Sequence, residues 1–541
     1  MRVPTQELLY RRRLGRRRLL GLAGGTMAAT MIGPWGATGV STARALSSLN
    51  PKAGFGPLIP DPNGRLALPQ GFQYVELSPE GDKLSNGETV PSWHDGMAAF
   101  PGPRGTTVLV RNHEIAQENK DNAAIHPVIG KSPYSTDVFG GTTAIIVDTD
   151  RSELQSFVTS AGTVSNCAGG ATPWGTWLTC EEATSQGLKD EDGITTLKPH
   201  GYVFEIDPND PENLLSRTPI KEMGVFSHEA MGYDPDTGYV YLTEDGETEA
   251  DPMNPRNDTG GSFLYRFIPN DLNRRPGALQ KGGTLQALKA VEIPVGNDAD
   301  LFDPGQRFGV LWIDVDPEGP TEDAMDKEAL KFNRLEGAHF AGGALWFCDT
   351  NGGEQRLGQI FRYIPATNTL ELFYEGDDSA GVLEPDSDVG RDFARLENPD
   401  NITIAPWGDV IVAEDSGGVN RLIGFTPEGE HYVLAQHVIP LPEYERMEEE
   451  LPENFHSEVA GPTFSPDGQT LFFNVQAPGV TFAVWGPFKS LDTRRRRQMS
   501  FAAPPRGLTP AISGELREAA DRHRISVLEA AAFARLGVPI L

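Results

Sequence analysis

Six segments of the chain follow one plan: a glycine turn, a run of strand-forming residues, then a polar end. They are GTTVLVRNHE from Gly105, GTWLTCEE from Gly175, GYVYLTEDG from Gly238, GALWFCDTNG from Gly343, GDVIVAEDSG from Gly408 and GQTLFFNVQ from Gly468. Ahead of each glycine lies another apolar stretch that opens on polar residues: HDGMAAF, NCAGGATPW, SHEAMGYDPD, RLEGAHFAG, NPDNITIAPW and SEVAGPTFSPD. The repeated unit therefore reads as a β-hairpin with polar residues at the open end of both strands. A third strand follows in several units, at Gly141, Gly201, Gly261, Gly358 and Arg421.

Successive glycines stand 70, 63, 105, 65 and 60 residues apart, and the long interval holds an insertion rich in Asp, Asn and Pro around 247–260 and 296–330. Units of three or four strands repeated six times predict an all-β fold, a six-bladed β-propeller with loop insertions over residues 91–490. A sandwich or solenoid would repeat with a shorter and more even period. Residues 46–90 read as an N-terminal extension. Over 491–541, a basic run from Arg494 to Arg497 leads to a Ser-capped stretch from Ser513 to about Leu536 with helical spacing, a short C-terminal helical extension. No internal run reaches the roughly 18 apolar residues of a membrane span.

The first 45 residues read differently. Arg11, Arg12, Arg13, Arg16, Arg17 and Arg18 precede an apolar, Gly/Ala-rich run to about Gly33, and Ala43, Arg44 and Ala45 offer small residues at a cleavage position. This is the pattern of a twin-arginine signal peptide, whose translocase carries folded proteins to the periplasm or beyond. Any cofactor is then loaded before export. The formal net charge of −30 argues against nucleic acid as a partner.

In a propeller blade the start of the first strand and the end of the second lie at the same rim. The polar ends therefore converge, bringing together His94, Asp95, Asn112, His113, Glu114, Cys180, Glu181, Glu182, His228, Glu229, Glu244, Asp245, Glu336, Asp349, Asp400, Glu414, Asp415 and Glu458. Carboxylates about 4 Å apart repel by roughly 4 kcal/mol at an intermediate dielectric. Such a ring requires multivalent cations or protons. Oxygen donors suit Ca²⁺, whereas a thiolate among them points to a softer transition metal, with Cys180 as the candidate ligand. A Cys167–Cys180 disulfide is the alternative reading of that thiol, and Cys348, within an apolar strand, reads as a small core residue. His113, His228 and His339 read equally as structural hydrogen-bonding residues.

Five stretches carry a resemblance to a known family: NCAGGATPWGTWLTCEE from Asn166, FSHEAMGYDP from Phe226, RLEG from Arg334, NPDNITIAPWG from Asn398 and GPTFSPDGQTLFFNVQAPGVTFAVWGPF from Gly461. Together they resemble the PhoX-type alkaline phosphatases, from about His94 to Phe488. The resemblance implies a twin-arginine-exported phosphomonoesterase on a six-bladed propeller, with two Fe³⁺ and three Ca²⁺ ions bridged by an oxo group. It implies that Cys180, Glu229 and Glu336 are iron or mixed-metal ligands and that Arg334 contacts phosphate, with Glu336 beside it at the catalytic centre. Glu181, Glu182, Glu244, Asp245, Asp400, Glu414, Asp415 and Glu458 would be shared among the calcium ions and their surroundings. The substrates implied are small phosphomonoesters. RLEG departs from the family's usual form, and the chain is shorter than its long members. Two other classes stay open at this point: a calcium-dependent propeller lactonase or esterase, and a non-catalytic metal-binding propeller.

Overall fold

The computed structural model describes residues 53–116, 122–183, 198–246, 261–291, 298–353, 355–376, 396–416, 418–442 and 456–491. The leader, the 247–260 insertion, the Arg494–Arg497 run and the C-terminal helix expected from Ser513 lie outside these residues.

Three short strands come first: β1 (Leu58–Ile59), β2 (Leu66–Pro69) and β3 (Gln73–Leu77). The first hairpin, β4 (His94–Pro101) and β5 (Thr107–His113), continues into β6 (Gly140–Val147) and β7 (Glu153–Thr163). The second, β8 (Asn166–Ala171) and β9 (Trp177–Glu181), continues into β10 (Val203–Ile206). The third, β11 (His228–Tyr233) and β12 (Val240–Glu244), continues into β13 (Leu264–Pro269), β14 (Gly283–Ala290) and β15 (Arg307–Asp314). The fourth, β16 (Leu335–Ala341) and β17 (Ala344–Asp349), continues into β18 (Gln359–Ile364) and β19 (Thr369–Glu375). The fifth, β20 (Pro399–Ile404) and β21 (Val410–Glu414), continues into β22 (Arg421–Phe425) and β23 (His431–His437). The sixth, β24 (Val459–Phe464) and β25 (Thr470–Val475), continues into β26 (Val480–Trp485). The hairpins reverse where glycine relieves the turn: Gly343 and Gly408 sit at φ +78° and +94°, a region L side chains avoid.

The strands form an all-β, propeller-like arrangement of antiparallel sheets. Their hydrogen bonding joins an early strand to the last described one, since β3 pairs along β26, Leu77 opposite Thr481 and Gln73 opposite Trp485. Part of the segment expected as a bare N-terminal extension is thus the outer strand of the last sheet, and β1 and β2 extend the fifth sheet through β23. The insertion expected around 296–330 is likewise not all loop. It contains β15, which pairs with both β14 and β19 and so joins the third and fourth sheets, and a helix at Pro320–Asp326.

Packing follows from strand alternation. In β21, Val410 and Val412 face Cys348 and Ile360 of the preceding sheet, whereas Ile411 and Ala413 face Val459 and Leu471 of the following one. Each strand of this kind is covered on both faces, which is why it reads as a continuous apolar run rather than an alternating one. Comparable clusters lie between every two successive hairpins, including Leu109 and Ile145 of the first against Phe472 and Ala483 of the last. The first strands also pack in a closed circuit: β4 against β8, β8 against β11, β11 against β16, β16 against β20, β20 against β24 and β24 against β4. Their approach is close. A Cβ on Gly96 would lie 2.5 Å from Ala168 Cα, and one on Gly337 2.6 Å from Asn401 Cα.

Candidate metal centre

One irregularity recurs in every hairpin. In the first five, the first residue of the inner strand pairs with the last residue of its partner, and an extra residue then bulges out: His94/His113, Asn166/Glu181, His228/Glu244, Leu335/Asp349 and Pro399/Glu414. In the sixth the shift lies between Ala460 and Thr463. A bulge re-aims the side chain it carries. The bulged residues are Asp95, Cys167, Glu229, Glu336 and Asp400, five groups of metal-ligand type.

A second recurrence fixes what stands next to each bulge. The first residue beyond the second strand donates its N–H to the carbonyl of the residue before the first strand. The six bonds are Glu114 to Trp93 (3.0 Å), Glu182 to Ser165 (2.9 Å), Asp245 to Ser227 (3.0 Å), Thr350 to Arg334 (2.9 Å), Asp415 to Asn398 (3.0 Å) and Gln476 to Glu458 (3.3 Å). Three positions per hairpin therefore meet: one before the inner strand, one in its bulge, one just past the partner strand. The sixth hairpin carries Ala460 rather than an acid near its bulge, and Glu458 enters from the preceding position. The fourth carries Thr350 instead of an acid, and there the preceding position holds Arg334.

These positions bring together three groups whose ligand atoms lie within 4.8 Å of one another: Cys167, Glu182 and Glu229; Asp95, Glu114 and Glu458; and Glu229, Glu336 and Asp400. All six hairpins contribute, and Glu229 belongs to two groups. The chemistry of crowding is visible in the acidities. Burial, reinforced by Glu336 and Glu182, holds the Glu229 carboxyl far above the usual range. Burial, Asp245 and Glu114 do the same to Glu182, and burial with Asp415 raises Glu458. Asp95 is raised by burial and Glu114. Burial pushes Glu114 up to about 7, and burial with Asp415 pushes Asp400 up to about 8. A set of buried acids each disfavouring its neighbours' charge is what cations would relieve.

Arg334 borders this set. Its Nε and Nη2 bond Asp245 at 2.9 and 2.7 Å, and Nη2 also bonds Glu336 Oε1 at 2.7 Å. Its backbone holds φ +67°, a strained conformation for a side-chain-bearing residue, secured by its N–H to Gly246 O at 3.0 Å.

The acids one residue earlier behave differently. Glu181 accepts from His200 Nδ1 (2.6 Å) and from the N–H groups of Val164, Gly201 and Tyr202. Glu244, pushed up to about 8 by burial, bonds Tyr265 and Thr321. Glu414 forms a two-pronged pair with Arg421 at 2.6 and 2.7 Å and accepts Glu397 N–H. Asp349 accepts Asn333 N–H. None of these four appears in the three groups, so the ring expected from sequence separates into two rows.

The thiols divide likewise. Cys180 is fully buried with Leu178, Val203 and Leu242 between the second and third sheets. Strand alternation puts it on the side of Glu182 but two residues deeper, below the rim where the acids gather. Cys167 is the sulfur that meets Glu182 and Glu229, and burial together with these two acids raises its thiol. Cys348 packs in the apolar cluster between the fourth and fifth sheets, as expected. All three cysteines are free. Histidine enters none of the groups: burial lowers His228 to about 3 and His339 to about 4, and His94 and His113 well below their usual value.

Sequence reasoning assigned the sulfur to Cys180 and left Asp95 and Glu114 out of the ligand set. The missing signal is columnar. Aligning HDG, NCA, HEA, LEG and PDN puts Cys167 in one column with Asp95, Glu229, Glu336 and Asp400.

Comparison with known proteins follows the same line. The structure of Pseudomonas fluorescens PhoX in complex with vanadate, a transition state analogue, matches with a TM-score of 0.56 at 18% identity, covering 80% of this chain and 97% of that one. A gluconolactonase from Xanthomonas campestris (TM-score 0.32, 13% identity, 80% and 98% covered) and virginiamycin B lyase from Staphylococcus aureus (0.35, 11%, 76% and 99%) fall below the likeness that supports an argument. No curated protein matches the sequence. The family model for alkaline phosphatase PhoX matches residues 53–479, most of the chain. The chain therefore belongs to the alkaline phosphatase PhoX family of phosphomonoester hydrolases.

Proposed function

We propose that the six hairpins are the inner halves of six blades and that the three acidic groups at their converging ends hold the metal ions of a phosphomonoesterase. The observation that carries this reading is the sharing of Glu229 between the thiol group and the Glu336–Asp400 group. A carboxylate common to two groups is suited to bridge two ions. The Cys167–Glu182–Glu229 and Glu229–Glu336–Asp400 groups suit iron, in keeping with the two Fe³⁺ ions the resemblance implies. The oxygen-only set Asp95–Glu114–Glu458 suits calcium, with Asp415, which raises both Glu458 and Asp400, as a further oxygen donor beside it, whereas Asp245 is committed to Arg334. Glu181, Glu244 and Glu414 are assigned instead to holding strand ends.

When bound, the ions supply Lewis acidity toward phosphoryl oxygens and lower the pKa of a coordinated water. The chain's own residues do the rest. Asp245 takes Nε and Nη2 of Arg334 and Glu336 takes Nη2, which fixes the guanidinium plane and holds its charge beside the acidic set, where a phosphate would meet it. Glu336 spans the gap between Arg334 and the metal group, coupling substrate binding to the centre. Burial around Glu229 excludes water and strengthens each charge interaction. Vanadate binding by the Pseudomonas fluorescens relative supports placing a phosphoryl group here. A one-calcium lactonase would leave Cys167 and the raised acids without a role. Twin-arginine export to the periplasm or outside remains the reading of the Arg-rich leader, with the translocase as transient partner and small phosphomonoesters as substrates.

The test is elemental analysis of the folded protein with an aryl-phosphate assay before and after chelation. Iron and calcium, with hydrolysis lost on chelation, support the proposal. Full hydrolysis after complete metal removal would refute it.

A further inference from the structure

We propose that the metal ligands are wired around the ring: a buried side chain near the end of one hairpin sets the position of the ligand supplied by the next. This rests on the metal-centre reading above. The link is clearest at Asn112, one residue before the end of β5. Its Nδ2 donates to the backbone carbonyls of Cys167 (3.0 Å) and Ala168 (2.7 Å) in the neighbouring bulge. Its Oδ1 accepts from Trp177 Nε1 and Thr179 Oγ1, both at 2.9 Å. The amide is fully buried and every one of its four hydrogen-bonding sites is used.

The same register repeats elsewhere. Asn474, one residue before the end of β25, donates to the carbonyl of Asp95 and accepts from Thr481 Oγ1, tying the last hairpin to the ligand of the first. Thr243, one residue before the end of β12, donates to the carbonyl of Glu336 at 2.7 Å. In the second and fourth hairpins this register holds Cys180 and Cys348, which pack in apolar clusters. The fifth hairpin carries Ala413 there, also in an apolar cluster, so polar fillers stand in the first, third and sixth hairpins, and they hold Cys167, Glu336 and Asp95, one from each metal group. Groups that fix a ligand's orientation from behind commonly change metal affinity by about 10- to 100-fold when removed.

The wiring makes a prediction that general destabilisation does not: each positioning residue controls its own ion. Asn112→Asp keeps the acceptor for Trp177 and Thr179 but removes the donors to the Cys167 bulge. Asn474→Asp does the same toward Asp95. We expect Asn112→Asp to lose the visible absorption of a thiolate-bound ferric ion and to retain that ion about 10- to 100-fold less tightly, with calcium content unchanged. Asn474→Asp should lose calcium by a similar factor and keep the visible band. Should Asn112→Asp fail to fold, Thr179→Val, which frees the amide from one of its two donors, is expected to shift the same band. If both Asp variants lose iron and calcium in the same proportion, or melt at lower temperature with band and metal content intact, the wiring is wrong. A colourless, metal-free parent protein would instead overturn the metal-centre reading itself.

Discussion

Glu181 and Glu182 are consecutive residues of one strand end, and their side chains live in different chemistry. Glu181 is satisfied four times over by His200 and three backbone N–H groups. Glu182 meets Cys167 and Glu229, and burial with the neighbouring Asp245 and Glu114 holds its carboxyl far above the usual carboxylate range. At the third and fifth hairpins the earlier acid again bonds its own sheet, Glu244 to Tyr265 and Glu414 to Arg421, while the next one faces the acidic set, Asp245 bonding Arg334 and Asp415 raising Asp400 and Glu458. A single step along an extended chain moves an acid from holding a sheet together to crowding the acids of neighbouring hairpins. Sequence position alone cannot separate the two rows, because both are acidic and both sit at strand ends.

The largest effects are expected on opposite sides of that divide. Glu414→Ala strands Arg421 without its buried partner and should lower stability by about 3–5 kcal/mol, read as a lower melting temperature, while iron and calcium stay bound. Glu229→Gln should keep the fold but lower kcat by about 10² to 10³ with loss of metal, read by assay and elemental analysis. Exchange of these outcomes between the two variants would erase the distinction between the rows.

The thiols give a finer version of the same comparison. Cys167→Ser should remove the visible band and the iron. Cys180→Ser places a hydroxyl among Leu178, Val203 and Leu242, costs about 1–3 kcal/mol of stability and leaves colour and activity in place. Loss of iron from the Cys180 variant alone would return the ligand role to that residue.

Arg334→Lys tests the gripping edge. The point charge remains but the fork held by Asp245 is lost, so inhibition by inorganic phosphate should weaken about tenfold with metal content unchanged. An unaltered inhibition constant would remove Arg334 from the phosphate site.

The smallest expected effect is on pH. In the chelated protein, Glu114 and Asp400 stay protonated up to about 7 and 8, whereas in the unfolded chain they ionise near 4. The folded state then binds more protons, so the metal-free protein should lose stability as pH rises from about 5 to 8. Bound cations replace those protons and should flatten the dependence, and metal affinity should climb over the same range. A melting temperature of the chelated protein that rises with pH would contradict the crowding of these acids.

Much of this was legible beforehand. The glycine-led hairpins and the third strands at Val203–Ile206, Leu264–Pro269 and Gln359–Ile364 follow directly from turn residues and apolar runs. The convergence of Asp95, Glu114, Glu182, Glu229, Glu336, Asp400 and Glu458 was read from their places at the polar ends, and these residues stand in the three groups. What escaped was the inner-strand bulge. It shifts the register by one residue and turns Cys167 toward the acids, and no local property of NCAGG announces it. Asn112 was named among the converging polar residues, but its role escaped for another reason: its partners, the carbonyls of Cys167 and Ala168, belong to the next hairpin, and backbone groups leave no trace in sequence.

The most direct measurement is an anomalous-difference density map of the metal-loaded crystal, collected at the iron absorption edge. The account predicts a peak at bonding distance from Cys167 Sγ and flanked by Glu182 and Glu229, with none near Glu181, Glu244 or Glu414. An iron peak on Cys180, or one enclosed by those strand-end acids, would contradict it.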